Sequence, residues 1–107
     1  MRCFGVYDSA LEAYLTPFFA ATSGVALRMF MQAVNESGHD FNRFAEHYSL
    51  FELGDFDVAN GKLSGGKAPL FIASAHTVRE TPEEAERATA RSDALIRDLE
   101  VASDGNS

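Results

Sequence analysis

The chain has 107 residues, a length that suits one domain, and its 46% apolar content is ordinary for a globular protein. The single Cys3 excludes an intramolecular disulfide, and the lack of any run of 18 apolar residues argues against a transmembrane helix. The net charge of −7 is uneven: residues 1–79 hold six Lys/Arg against eight Asp/Glu, and residues 80–107 three against eight, which speaks against strong non-specific nucleic-acid binding. The opening MRCFGVYDSALEAY has no long apolar segment before Asp8 and Glu12, so no signal peptide is expected. Nine Phe and no Trp point to a Phe-rich core.

Residues 2–7 alternate around Phe4 and Val6 and predict a first strand. Asp8-Ser9 signals a turn, with a short loop from Ser9 to Ala13. Tyr14 to Ala20, YLTPFFA, reads as a second strand joined to the first by a hairpin. Pro17 lacks an N–H, so this strand belongs at an edge, or Pro17 faces away from the ladder. Thr22 or Ser23 can cap a helix over Gly24–Glu36. Its stripe of Ala26, Met29, Phe30, Ala33 and Val34 is expected to pack on the sheet, and Ser37-Gly38 to end it. Residues 38–47 read as a loop with a short helix that docks Phe41 and Phe44.

The densest apolar stretch is Tyr48 to Leu63. It predicts a strand over Tyr48–Asp57, distorted at Gly54 by a bulge, and a tight hairpin turn at Asn60-Gly61. Lys62-Leu63 begins a return strand, SGGK at 64–67 interrupts it flexibly, and Pro69–Ala75 forms the last strand, with Leu70, Phe71 and Ile72 in the core. Thr81, Pro82 and Glu84 form a helix-start signature, and that helix is expected to reach about Val101. The predicted fold is α+β: a small, mostly antiparallel sheet with one packed helix and a C-terminal helix. Residues 1–79 are the core domain, 80–102 the C-terminal helix and 103–107 a disordered tail.

Chemistry-bearing groups are sparse. His39, Asp40, Glu46 and His47 form the one cluster resembling metal ligands, but their spacing fits no zinc pattern; a solvated loop is the preferred reading, and no metal or cofactor is expected. His76 stands at a strand end without a recognisable nucleophile. Asp55 and Asp57 straddle Phe56, and alternation puts them on one face; they read as solvated hairpin carboxylates, not as an acid–base pair. GGK at 65–67 lacks the spacing of a phosphate loop. Tyr7, Tyr14, Phe18, Phe19 and Tyr48 are candidates for stacking bases on a sheet face, although the favoured reading puts most of these rings in the core. If DNA is contacted, Tyr14 and Phe18 are the stacking candidates and Arg2, Arg28, Arg43, Lys62 and Lys67 the phosphate contacts. Leu95, Ile96 and Leu99 form a candidate self-association stripe.

Taken in order, several motifs resemble the small nonstructural protein of gokushovirus-type microviruses, tailless phages with single-stranded DNA. They are Val6-Tyr7-Asp8, Pro17-Phe18-Phe19-Ala20, Ala26-Leu27-Arg28-Met29-Phe30, Leu53-Gly54-Asp55-Phe56-Asp57, Gly61-Lys62-Leu63, and Pro69 before an apolar strand. The resemblance covers about residues 1–76; the helix expected after it departs from the pattern. It implies a non-virion protein of the host cytoplasm, linked to DNA replication or genome packaging, with no catalytic residues. The implied partners are single-stranded DNA or phage replication or procapsid proteins; the alternative is a self-associating interaction module, a homodimer without DNA contact. No membrane partner is expected.

Overall fold

A computed structural model describes residues 1–80. The expected C-terminal helix, its Leu95, Ile96 and Leu99, and the tail lie outside the described residues. The fold is α+β, as its sequence predicts. Five antiparallel strands form one sheet in the order β2-β1-β4-β5, with β3 also paired to β1.

Strand β1 spans Arg2–Asp8 and lies inside the sheet. Its alternation sends Phe4, Val6 and Asp8 to the core side, where all three are buried. The Asp8 carboxylate accepts hydrogen bonds from the N–H groups of Ala10 and Leu11 and so shapes the turn that follows. The expected second strand is divided. Ala13–Tyr14 (β2) and Phe18–Ala20 (β3) pair successively along the same side of β1. The chain leaves the ladder around Pro17, which has no N–H to donate.

Helix α1 spans Ser23–Val34. Thr22 caps it from an extended backbone, its Oγ1 accepting from Val25 N at 3.2 Å. The buried row is Ala26, Phe30 and Val34, spaced by four. Met29 departs from expectation: it is 45% exposed, because Leu27 and not Met29 packs on the core beside that row. Asn35 ties the end of α1 to the C-terminal part of the described chain. Its Nδ2 donates to Val78 O at 3.1 Å, and its Oδ1 accepts from Glu80 N at 2.6 Å. Short helix α2, Asp40–Arg43, and a 3₁₀ turn at Ala45–His47 follow. Phe41 docks between Phe30 and Tyr48, with ring centroids 5.8 and 4.6 Å away. Phe44 does not dock; it is exposed, with the Arg43 guanidinium 5.1 Å from its ring centre.

Strands β4, Tyr48–Phe56, and β5, Leu63–Ser74, complete the sheet before the one-turn helix α3, Ala75–Val78. The expected bulge is present. Phe4 pairs with Glu52 and Cys3 with Gly54, so Leu53 is the extra residue. On the other side Glu52 pairs with Leu70 and Gly54 with Gly65, leaving residues 66–69 outside the register opposite Leu53. The predicted interruption at 64–67 is shifted: Ser64 and Gly65 pair normally, and the irregular stretch is 66–69, inside one continuous strand. The Asn60-Gly61 turn is corrected as well. The loop spans residues 57–62, closed by Asp57 N donating to Lys62 O, and only Gly61 has a positive φ, of 77°. Asp57 Oδ1 accepts from Ala59 N and Asn60 Oδ1 from Lys62 N, which stabilises this wider turn over a two-residue one.

The core lies between the sheet and the helices. Phe4, Val6, Ala20, Ala26, Phe30, Val34, Ala45, Tyr48, Leu50 and Ala75 form it, with Phe18 and Ile72 packed at its margin. Among the described residues no helix covers the opposite face of the sheet, and no helix is long and apolar enough to cross a membrane.

Candidate functional site

The uncovered face carries a cluster of aromatic rings. On β1 it receives Cys3, Gly5 and Tyr7, the residues that alternate with the core positions. The pairing sets Tyr14 opposite Tyr7, Phe51 opposite Gly5, and Phe71 opposite Phe51. The rings meet: Tyr7–Tyr14 centroids are 5.0 Å apart, Tyr14–Phe51 5.6 Å and Phe51–Phe71 5.7 Å. Gly5 makes room for this cluster. A Cβ there would stand 2.8 Å from Leu53 Cδ1 and 3.5 Å from Tyr14 Cδ1, so both side chains close over the bare backbone. A second group sits toward the other end of β1. Phe19 pairs opposite Cys3, and its ring lies 5.4 Å from that of Phe56.

An antiparallel sheet with one solvated face normally alternates apolar and polar residues along each strand. Here both faces of β1 and β4 are apolar. Phe71 is 57% exposed, Phe19 44% and Tyr14 42%, so large rings stand half in solvent on a face whose side chains carry no charge.

The sequence-predicted residues scatter around this face. Tyr14 is part of it. Phe18 is on the core side, stacked on Phe4 at 5.9 Å, and Tyr48 is buried there too. Arg2 lies 3.5 Å from Glu52 Oε1, a buried oxygen with no hydrogen-bond partner, so the ion pair is what offsets the burial of that charge. Arg28 and Arg43 belong to the helical layer. Lys62 ends the β4–β5 loop and Lys67 lies in the 66–69 stretch of β5 that is out of register with β4. The sequence reading missed Phe51, Phe56 and Phe71 as face residues. The signal lay in the consecutive pairs Leu50-Phe51 and Leu70-Phe71, since adjacent strand residues point to opposite faces.

The other candidate groups do not converge. His39 Nδ1 accepts from Phe41 N and caps α2. His47 Nδ1 is 3.1 Å from Ser9 Oγ, and its Nε2 is 3.7 Å from Glu46. No group of three or more His, Cys, Asp or Glu side chains is placed to hold a metal among the described residues. Asp55 lies 3.9 Å from the Met1 amino nitrogen, whereas Asp57 is engaged in its turn. His76 is exposed on α3.

Two groups titrate away from their ordinary values. Burial pushes the Cys3 thiol up, which depresses its thiolate fraction and its reactivity. The Tyr48 phenol is raised by burial first, then by the Asp8 and Asp40 carboxylates. Because the folded state holds the Tyr48 proton more tightly, this contribution to stability is intact below about pH 10, the ordinary tyrosine value, and declines as pH rises through and above it. Urea midpoints measured from pH 8 to 11 should fall less steeply for Tyr48→Phe than for the wild type; parallel curves would remove Tyr48 as a cause.

No curated protein and no solved structure matches the chain. The family described as phage ORF5 protein matches over residues 1–78, which include every strand and helix described above. That match covers well over half of the sequence, and the chain belongs to the phage ORF5 protein family.

Proposed function

We propose that this protein is a nonstructural accessory protein of a gokushovirus-type microvirus. It acts in the host cytoplasm, outside the virion, in single-stranded genome replication or its handover to packaging. It works by non-covalent binding and not by catalysis, and the open aromatic face of the sheet is its contact surface. The observation that supports this reading is the apolar character of both sheet faces, only one of which the described helices cover. An exposed apolar surface of this kind marks a binding site.

The test is made in the phage that encodes the protein. Tyr14→Glu with Phe71→Glu places two charges on the face at positions that contribute little to the core. Intracellular single-stranded genome, or its packaged fraction, should fall about tenfold or more, the effect of losing roughly 1.4 kcal/mol of binding. Wild-type genome levels in the variant would overturn the face as the contact surface. Recovery of the protein from purified virions in capsid-like amounts would overturn the nonstructural assignment.

Direct contact with single-stranded DNA is a second reading, favoured by the half-exposed Tyr14 and Phe71 rings, with Lys62 in the β4–β5 loop and Lys67 on the edge strand β5 as the nearest candidate cations. Stacking contributes about 1–3 kcal/mol per base and needs little sequence preference. Two lysines would give a shallow salt dependence, with a logarithmic slope of about −1.4.

A further inference from the structure

We infer that the open face is occupied by the same face of a second copy, giving a two-fold dimer in which two sheets pack face to face. This rests on the reading of that face as the contact surface. Three observations carry it. First, Tyr7, Tyr14, Phe19, Phe51, Phe56 and Phe71 are spread over all five strands, so the apolar surface is as wide as the sheet. A face of this breadth fits another sheet, with the two layers about 10 Å apart, better than it fits one extended strand.

Second, these side chains are uncharged, and an isologous interface sets each residue near its own copy or its symmetry mate. Like charges are the usual bar to self-association, and here they are kept off the face. Arg2 is paired with Glu52, while Arg28 and Arg43 lie in the helical layer. A polyanion would instead require cations among the rings, and the residues paired across this face, from Tyr7 and Tyr14 to Phe51 and Phe71, include none.

Third, the area fits a weak dimer. The partly exposed rings, with Leu63 opposite Phe56 and 68% exposed, leave on the order of 500 Å² to bury per copy, somewhat under the roughly 600 Å² per partner at the lower end of specific interfaces. The dimer is therefore reversible and concentration-dependent. It closes at two copies, because each molecule has one such face among its described residues.

Sedimentation of the full chain over a range of concentrations tests this. The wild type should move from monomer to dimer. Phe71→Glu and, separately, Tyr14→Glu should each weaken association by at least about 100-fold, since each buries an unpaired charge, while the far-UV spectrum stays unchanged. A wild type that remains monomeric at every concentration would overturn the inference. So would a dimer that survives both variants but is lost in Leu95→Glu, which would move self-association to the C-terminal segment. An oligothymidine that binds at low salt to a wild type that stays monomeric, and loses affinity in Phe71→Glu, would overturn the inference and assign the face to nucleic acid. A monomer whose Tyr14→Glu/Phe71→Glu phage is nonetheless defective would leave the accessory role standing and remove only the second copy.

Discussion

Phe4→Ala is expected to cost about 3–5 kcal/mol, a large share of the roughly 5–15 kcal/mol that holds a domain of this size folded. Phe4 has no exposed surface, stacks on Phe18, and sits on the strand that pairs with β3 on one side and β4 on the other. The sheet and α1 hold this position from both sides, so the cavity cannot collapse without moving a strand. Thermal unfolding should shift down by roughly 20 °C. Val58→Ala is the matched control: Val58 is 74% exposed in the β4–β5 loop, and its loss should stay within about 0.5 kcal/mol. Similar losses for the two variants would show that the core is not organised around β1.

Gly54→Ala is expected to cost about 2–3 kcal/mol, by a different cause. A Cβ at Gly54 would run into the Ser64 carbonyl oxygen and stand 3.1 Å from Gly65 Cα, both backbone atoms of the neighbouring strand. The backbone cannot step aside without breaking the pairing of Gly54 with Gly65 and of Asp55 with Ser64. Gly5→Ala is the informative comparison. Its closest conflict is Leu53 Cδ1, the far end of a flexible side chain, so it should cost less than Gly54→Ala. Urea denaturation of the two variants gives the order directly, and a costlier Gly5→Ala would reverse the account.

Local signals were the legible part of this fold. Thr22 and the period of Ala26, Phe30 and Val34 announce α1, and alternation around Phe4 and Val6 announces β1. The errors arose where one residue's role depends on a distant partner. Met29 fits the helical stripe as well as Phe30 does, but which of them meets the sheet is set by how α1 crosses it. Asn60-Gly61 favours a two-residue turn in isolation, yet the Asp57 and Asn60 side chains close a wider loop. The open aromatic face was the least legible feature. Tyr48 and Phe51 lie in the same apolar run, and only the strand register puts the first in the core and the second on the open side. Bulges at Leu53 and 66–69 then reset the alternation, so counting by twos from Tyr48 fails before Phe56.

The strand order β2-β1-β4-β5 also bears on how the chain reaches this structure. Residues 1–20 and 48–74 each make their own short-range pairings, and the contact between β1 and β4 joins them across the intervening helices. That join demands the largest loop closure in the sheet, so it is expected to be the slow step of folding. Phe4 and Gly54 both border it. Stopped-flow refolding of Phe4→Ala and Gly54→Ala should therefore show the loss mainly as slower folding; a change confined to the unfolding rate would place the joining of the two halves after the barrier. Until that step is complete, the aromatic residues of the open face are divided between two separate pieces of chain. The open aromatic face is thus assembled last, by the same event that makes the protein stable.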